Sequence, residues 1–331
     1  MKGKLIRHES RFFAREEKRL KKSYITPEVQ ALVGQEVNFQ ATEPVDAGKI
    51  RRFAKSLGLD NPLYYAMENG QPVPPPTFLF SVNHDSLGDM DETGRPAKRL
   101  TLPPPFGPAM RGGNRYQFFQ PIRVGDRIAM RRIVTALEEK QGRTGTLLFL
   151  AYDVHYTNQK DELLGINTET LIFRVAGTPE AKQSPPSNLE KADHPNRWKS
   201  TAGQEIPPYR VAVSKVQMMM YAAATWNPNQ LHWDSDFSRK RGFADANFAA
   251  TMFGDYLAEM LGQWAGNPFN LKSLEFKNRH MGFPGDTLIC RGGVKEKRRD
   301  GNATLADCQV WTENQKGGIL AEGNAIVTIP Q

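Results

Sequence analysis

The chain has 331 residues, 39% of them hydrophobic and 24% charged, with a net charge of +8; this mixture excludes a disordered chain, and the length suggests two domains. No apolar run approaches the ~20 residues that cross a bilayer, so no membrane span is expected, and the charged N-terminus lacks the apolar core of a secretory leader. The two cysteines, Cys290 and Cys308, match no zinc motif and cannot build a disulfide framework, which fits a reducing cytoplasm.

Residues 1–23 carry nine basic and three acidic side chains, which leaves only +2 for the rest of the chain. Leu5, Ile6, Phe12 and Phe13 interleave with those charges as on an amphipathic helix. The expected role is packing on the body or on a partner subunit, with an anionic membrane surface or nucleic acid as the alternative. Neither an RNA-recognition signature nor a zinc finger is present, so no nucleic-acid partner is expected.

A weak repeat organises the remainder of the chain. At an offset of 168 residues, Asp46–Tyr64 aligns with Ser214–His232, placing Phe53-Ala54 on Tyr221-Ala222, Asn61 on Asn229 and Tyr64 on His232. Each copy predicts a helix. Asp46 and Ser214 suit N-caps, and apolar residues come after them at helical spacing: Ile50, Phe53 and Leu57, then Met218, Tyr221 and Ala222. The second helix is apolar on most sides and is expected to be wrapped by other structure. Between the helix and the strands of the first half, the proline- and charge-rich stretch Asp85 to Pro108 reads as a surface loop over a cleft.

Both halves continue with a strand and a Gly-Asp turn, at Gly125-Asp126 and Gly285-Asp286. Alternating strands are predicted at Ile128–Leu137, Gly145–Thr157 and Leu163–Val175, and again at Thr287–Val294, Ala303–Thr312 and Gly318–Ile329. The proline-rich stretch between the halves reads as a semi-rigid linker. The resulting division is a basic segment 1–23, a first domain 24–178, a linker 179–208 and a second domain 209–331. The fold class is α+β, each half an antiparallel sheet wrapped around a central helix.

This pattern resembles the MaoC-like dehydratase and (R)-specific enoyl-CoA hydratase family, with its double, or tandem, hot-dog fold. The resemblance rests on the helix leading to a polar motif ending in His232, on the Gly-Asp hairpin, and in the first half on Asn61-Pro62-Leu63-Tyr64, Pro75-Pro76-Thr77-Phe78 and Arg111-Gly112-Gly113-Asn114. It covers about residues 24–330. The family signature pairs an Asp with a His five residues on. Here the segment Asn227-Pro228-Asn229-Gln230-Leu231-His232-Trp233-Asp234 keeps the His and places Asn227 where the Asp would be. It is similar to a sub-branch acting on branched or dicarboxylic enoyl-CoA. The first half has Tyr64 at the equivalent position, which implies a domain that shapes the acyl tunnel without doing chemistry.

The resemblance implies hydration or dehydration of an enoyl/3-hydroxyacyl-CoA thioester, with CoA part of the substrate and no metal or other cofactor. His232 is the expected acid/base, since imidazole titrates near operating pH. A carboxamide cannot take a proton from water, so Asn227 is expected to position it. Ala250 falls where the family's oxyanion glycine stands, at a helix start whose amides favour developing negative charge. Asn229 and Asp234 complete the expected substrate-binding set, with a helix cap as the competing role for Asp234; Asp60 is expected to be structural. His84, expected to be solvated, and His280, expected at the cleft, are the other histidines weighed. Phe78, Phe80, Trp226, Phe248 and Trp264 are candidate pocket walls or plain core. Two further readings stay open. One is a non-catalytic acyl-thioester-binding subunit of a hetero-oligomer. The other is a hot-dog thioesterase, disfavoured because neither Ile50–Leu57 nor Met218–Thr225 carries a carboxylate. A homodimer is the expected assembly, although two fused hot dogs already pair their sheets and a monomer also fits.

Overall fold

The computed structural model describes residues 23–41, 43–65, 70–84, 89–96, 99–142, 145–175 and 204–329. The expected amphipathic helix in the basic N-terminal segment lies outside them, as does most of the linker. Among the described residues no helix is long and apolar enough to cross a membrane.

The first half runs α1 (Pro27–Gln30), β1 (Glu36–Gln40), α2 (Ala47–Leu57), a 3-10 turn at Pro62–Tyr64, α3 (Phe78–Ser81), then β2 (Met110–Phe118), β3 (Ala129–Gly142), β4 (Gly145–Thr157) and β5 (Leu163–Arg174). The second runs β6 (Glu205–Ala212), α4 (Lys215–Ala224), a 3-10 turn at Gln230–His232, α5 (Ser235–Lys240), α6 (Thr251–Trp264), then β7 (Leu271–Asn278), β8 (Thr287–Asp300), β9 (Ala303–Glu313) and β10 (Ile319–Ile329). The ten strands form one antiparallel sheet in the order β1-β3-β4-β5-β2-β7-β10-β9-β8-β6. Each half contributes the same five-strand order. The halves meet where β2 pairs with β7, Asn114 opposite Phe276 and Tyr116 opposite Leu274. This is a tandem hot-dog fold of class α+β.

The repeat is visible atom by atom. Asp46 Oδ1 accepts from Lys49 N at 2.8 Å, and Ser214 Oγ accepts from Gln217 N at 3.2 Å within a capping box. Gly125 and Gly285 adopt φ of 93° and 91° at the two turns. The aspartate after each glycine ties its turn down. Asp126 Oδ2 accepts from Arg123 N at 2.7 Å and Asp286 Oδ2 from Phe283 N at 2.9 Å.

The central helix is not where the repeat suggested. That place belongs to α6, whose residues Met252 to Gly262 are all buried and which packs on all five strands of its half. The helix α4 instead leaves Val216 and Met219 exposed at 61% and 57%. Only its Met218, Tyr221 and Ala222 are buried, and it packs beside α2, with Phe53 and Tyr221 ring centroids 6.1 Å apart. Apolar residues on all sides permit wrapping but do not compel it. α6 is longer and takes the enclosed position, where each large apolar side chain contributes about 1.5–3 kcal/mol on burial. In the first half, the element at the corresponding place in chain order is the single turn α3, with Phe78, Leu79 and Phe80 buried.

β6 begins at Glu205 and pairs with β8, so residues 205–208, expected as linker, are strand. Pro207 and Pro208 sit where the β6–β8 register shifts, between Ile206 and Tyr209, on a sheet edge. Proline is tolerated there because its missing N–H costs no interior ladder bond.

Candidate functional site

The loop after α4 is built to present His232. Trp226 takes a positive φ of 51°, uncommon for a bulky residue, and reverses the chain. Asn227 N then donates to Ala222 O at 2.8 Å, and Trp233 Nε1 donates to Pro228 O at 2.9 Å. Asn229 caps the 3-10 turn, its Oδ1 accepting from Leu231 N at 3.2 Å. Asn61 does the same for Leu63 N at 3.1 Å in the first half.

His232 is half-buried on the wall of a cavity of about 1640 Å³ that runs between the two halves. Its Nδ1 lies 3.0 Å from the carbonyl oxygen of Asn247. A carbonyl only accepts, so Nδ1 carries the hydrogen and the neutral ring keeps its lone pair on Nε2. Burial pushes the imidazole pKa down to about 4; the bond to Asn247 opposes this, and the charges of Arg111 and Arg95 add to it. The ring is therefore neutral near pH 7.

Ala250 is the N-cap of α6 at φ −60°, and both it and Thr251 line the same cavity. The first amides of a helix have no intrahelical acceptor and lie at the positive end of its dipole, here a helix of 14 residues. Across the cavity the first half supplies Phe80, Tyr152, Val154, Tyr156 and Leu171.

The structure thus brings His232, Asn227, Asn229 and Ala250 to one cavity, although the Asn229 carboxamide oxygen is already engaged in its cap. Asp234 does not join them. Its Oδ1 accepts from Asp236 N and Phe237 N, both at 3.0 Å, and caps α5. A short acidic side chain just before a helix satisfies the helix's orphan amides. Asp60 is exposed and away from the cavity. His84, expected to be solvated, is buried: its Nε2 is 3.0 Å from Leu79 O, its ring meets Phe78 and Tyr156, and burial lowers its pKa to about 4. His280, Phe80, Trp226 and Phe248 line the cavity; Phe78 and Trp264 do not.

Sequence reasoning missed three sets of charged groups. Arg111 and Glu169 form an ion pair on the cavity wall, backed by Asn114, which accepts from Arg111 at 3.3 Å and donates to Asn167 at 2.9 Å. Glu169 is the one carboxylate in the sequence of β5, and that was the available signal. Asp255 on α6 accepts from Ser81 Oγ at 2.7 Å and Tyr221 OH at 2.6 Å, and burial raises its pKa to about 6. Arg95 comes from the long loop. Asp91 Oδ1 accepts from Thr93 N and Arg95 N, Thr93 O accepts from Gln230 N at 3.0 Å, and Gly94 at φ 73° lies against Pro228. The first half thereby grips the segment that carries Asn227 and His232.

Comparison with known proteins agrees with this architecture. Residues 31–165 match the family model "FAS1-like, dehydratase domain region". A UPF0336 protein of Streptomyces coelicolor is 30% identical over 134 residues, 38% of this chain and 83% of that protein. Mesaconyl-C(4)-CoA hydratase of Chloroflexus aurantiacus is 23% identical over 158 residues, 45% of this chain and 49% of the relative, so the match spans about half of that enzyme. A solved MaoC-like dehydratase superposes with a TM-score of 0.70 at 15% identity, covering 91% of this chain and 99% of that one. The chain belongs to the family of the UPF0336 proteins, with a dehydratase-type region in its first half and the tandem hot-dog fold that it shares with MaoC-like dehydratases.

Proposed function

We propose that the protein adds water to an enoyl-CoA thioester, or removes it from the 3-hydroxyacyl form, with His232 as the single acid/base. The observation that carries this reading is the bond between His232 Nδ1 and the Asn247 carbonyl, which fixes a neutral ring with Nε2 as the base in a cavity that also holds the α6 N-terminus. Nε2 takes a proton from water as its oxygen bonds to C3. The electron pair of the C2–C3 double bond moves onto the thioester as an enolate, whose oxygen is held by the amide end of α6 at Ala250. The imidazolium, stabilised by Asn247 O, returns its proton to C2. Asn227, on the same wall, orients the water. The reaction transfers only protons and water, and CoA enters as part of the substrate. The name of the Chloroflexus relative supports a CoA thioester as the substrate class.

The thioesterase reading requires a carboxylate that reaches the substrate. The central helix is α6, and it does carry Asp255 and Glu259. Both are buried and bonded, Asp255 to Ser81 and Tyr221, Glu259 to Tyr64 and Gln263, and neither lines the cavity. The geometry therefore favours hydration. The test is to incubate the purified chain with a panel of enoyl-CoA thioesters, following loss of the conjugated thioester absorbance and release of thiol separately. Hydration without thiol release is expected. Thiol release, or binding with neither change, overturns the reading.

A further inference from the structure

Resting on that reading, we infer that Tyr221 is a positioning residue: its hydroxyl locks α4, which leads into the segment bearing Asn227 and His232, to α6, whose amide end receives the enolate oxygen. Asp255 anchors this lock, and Ser81 of the first half joins it.

Tyr221 OH donates to Asp255 Oδ2 at 2.6 Å and lies 2.8 Å from Thr251 Oγ1. A phenol has one hydrogen, and Asp255 takes it, so Thr251 donates to the phenol oxygen. Thr251 is the first residue of α6 and Asp255 lies one turn further on, so a single hydroxyl of α4 holds the opening of α6 at two points. Ser81 Oγ donates to the other carboxylate oxygen, Oδ1, at 2.7 Å. On the α4 side, Thr225 Oγ1 donates to Tyr221 O at 2.7 Å and Asn227 N to Ala222 O at 2.8 Å, so the chain passes from Tyr221 into the loop through bonded residues. Tyr221 and Asp255 do not line the cavity, while Ser81, Thr225, Asn227, His232, Ala250 and Thr251 do.

The fold does not require this hydroxyl. Phe53 holds the equivalent place in the first half, buried like Tyr221, and packs α2 with no polar group. Nor does the packing of α6 call for Asp255, which is 2% exposed; burial raises its pKa to about 6 even though Tyr221, Ser81 and Thr77 bond to it. A buried carboxyl costs stability that an apolar side chain would not, and a fully bonded polar network fixes one arrangement of the parts it joins. Here the parts are the helix that runs into the histidine's loop and the helix end that faces the developing charge. Hydration needs both within about 0.5 Å of their working places.

The experiment compares the native chain with Tyr221→Phe, Thr251→Val and Thr251→Ser, by steady-state hydration of an enoyl-CoA and by backbone hydrogen exchange of the full chain. In Tyr221→Phe and Thr251→Val, kcat is expected to fall about 10- to 100-fold with KM held within about twofold. Exchange should quicken at residues 226–233 and 251–258 and keep its native rate in the strands. Thr251→Ser retains the hydroxyl and should behave as the native chain. The double variant Tyr221→Phe/Thr251→Val should be no slower than the slower single one, since both break one link. Where Tyr221→Phe alone fails to fold, Tyr221→Phe/Asp255→Asn, which leaves no buried charge short of a donor, carries the same comparison. Native kcat or native exchange in Tyr221→Phe overturns the lock, as do losses that add in the double variant. Faster exchange across the whole chain, the mark of a structural role alone, also overturns it. The exchange readout needs no turnover. A native chain that hydrates none of the thioesters sinks the hydratase reading, and the exchange pattern then decides the lock by itself; hydration with kcat and exchange unmoved in the variants sinks the lock alone.

Discussion

The Tyr64 hydroxyl donates a 2.7 Å hydrogen bond to Glu259 Oε2, and with it the first half closes the position that in the second half opens onto the cavity as His232. Tyr64 is 1% exposed and Glu259 4% exposed on the central helix α6. Burial and the neighbouring carboxylate hold the phenol pKa far above its usual value, so it stays protonated. The two halves share a fold, and this contact distinguishes their two equivalent positions.

Tyr64→Phe removes the donor and leaves a buried carboxyl short of a partner. The expected cost is about 1–3 kcal/mol of stability, measured by denaturant unfolding, with thioester hydration retained. A variant as stable as the native chain would show the contact to be idle.

His232→Gln keeps a polar side chain but cannot shuttle a proton. Turnover should fall by about 10²- to 10⁴-fold while thioester binding survives. Full activity in this variant would remove His232 from the chemistry.

The depressed pKa of that ring sets the pH profile. A base must be neutral to act, so kcat/KM should stay level on the acid side of neutrality and drop only as pH falls towards about 4. In Asn227→Asp a carboxylate faces the same cavity, favours the imidazolium, and should move this acid limb to higher pH. A limb that stays near 6.5 in the native chain contradicts the burial seen for His232.

Gly94→Ala tests the grip of the first half on the segment that carries Asn227 and His232. An added Cβ would lie 2.1 Å from Pro228 O, at a backbone φ of 73° that side chains avoid. The segment must shift, and a displacement of about 1 Å at reacting groups costs on the order of 10²-fold in turnover. The check is kcat alongside melting temperature. A large loss of kcat with a small loss of stability is expected.

Stability against pH isolates His84. Its folded pKa of about 4 lies below the ordinary 6.5, so between those values the unfolded chain takes up a proton that the folded chain refuses. Stability should decrease as pH falls through this window, by up to about 3 kcal/mol from this group. Asp255, raised to about 6, pulls the other way over pH 3.8 to 6. It is common to both chains when the native protein is compared with His84→Gln. The native chain should lose stability on acidification relative to the variant. Parallel curves would refute the assignment.

Local chemistry along the chain already specified the Asp46 and Ser214 caps, the Gly125 and Gly285 turns, the strand alternation and the candidate histidine. Each depends on backbone geometry within a few residues, and such geometry is dictated by the residues themselves. The α6 helix was legible as apolar but not as central, because apolarity says that a face will be covered and not by what. Arg95, Arg111 and Glu169 entered the cavity, and Asp234 left the expected set, through contacts the chain makes only after folding. Arg111 comes from β2 and His232 from the other half, and no local period links them. Their meeting is set by the β2–β7 pairing and the register it imposes. Sequence determined which groups were present and how each segment would bend, while the joined sheet decided which charges face the same enclosed space, because only long-range packing brings together side chains that lie far apart along the chain.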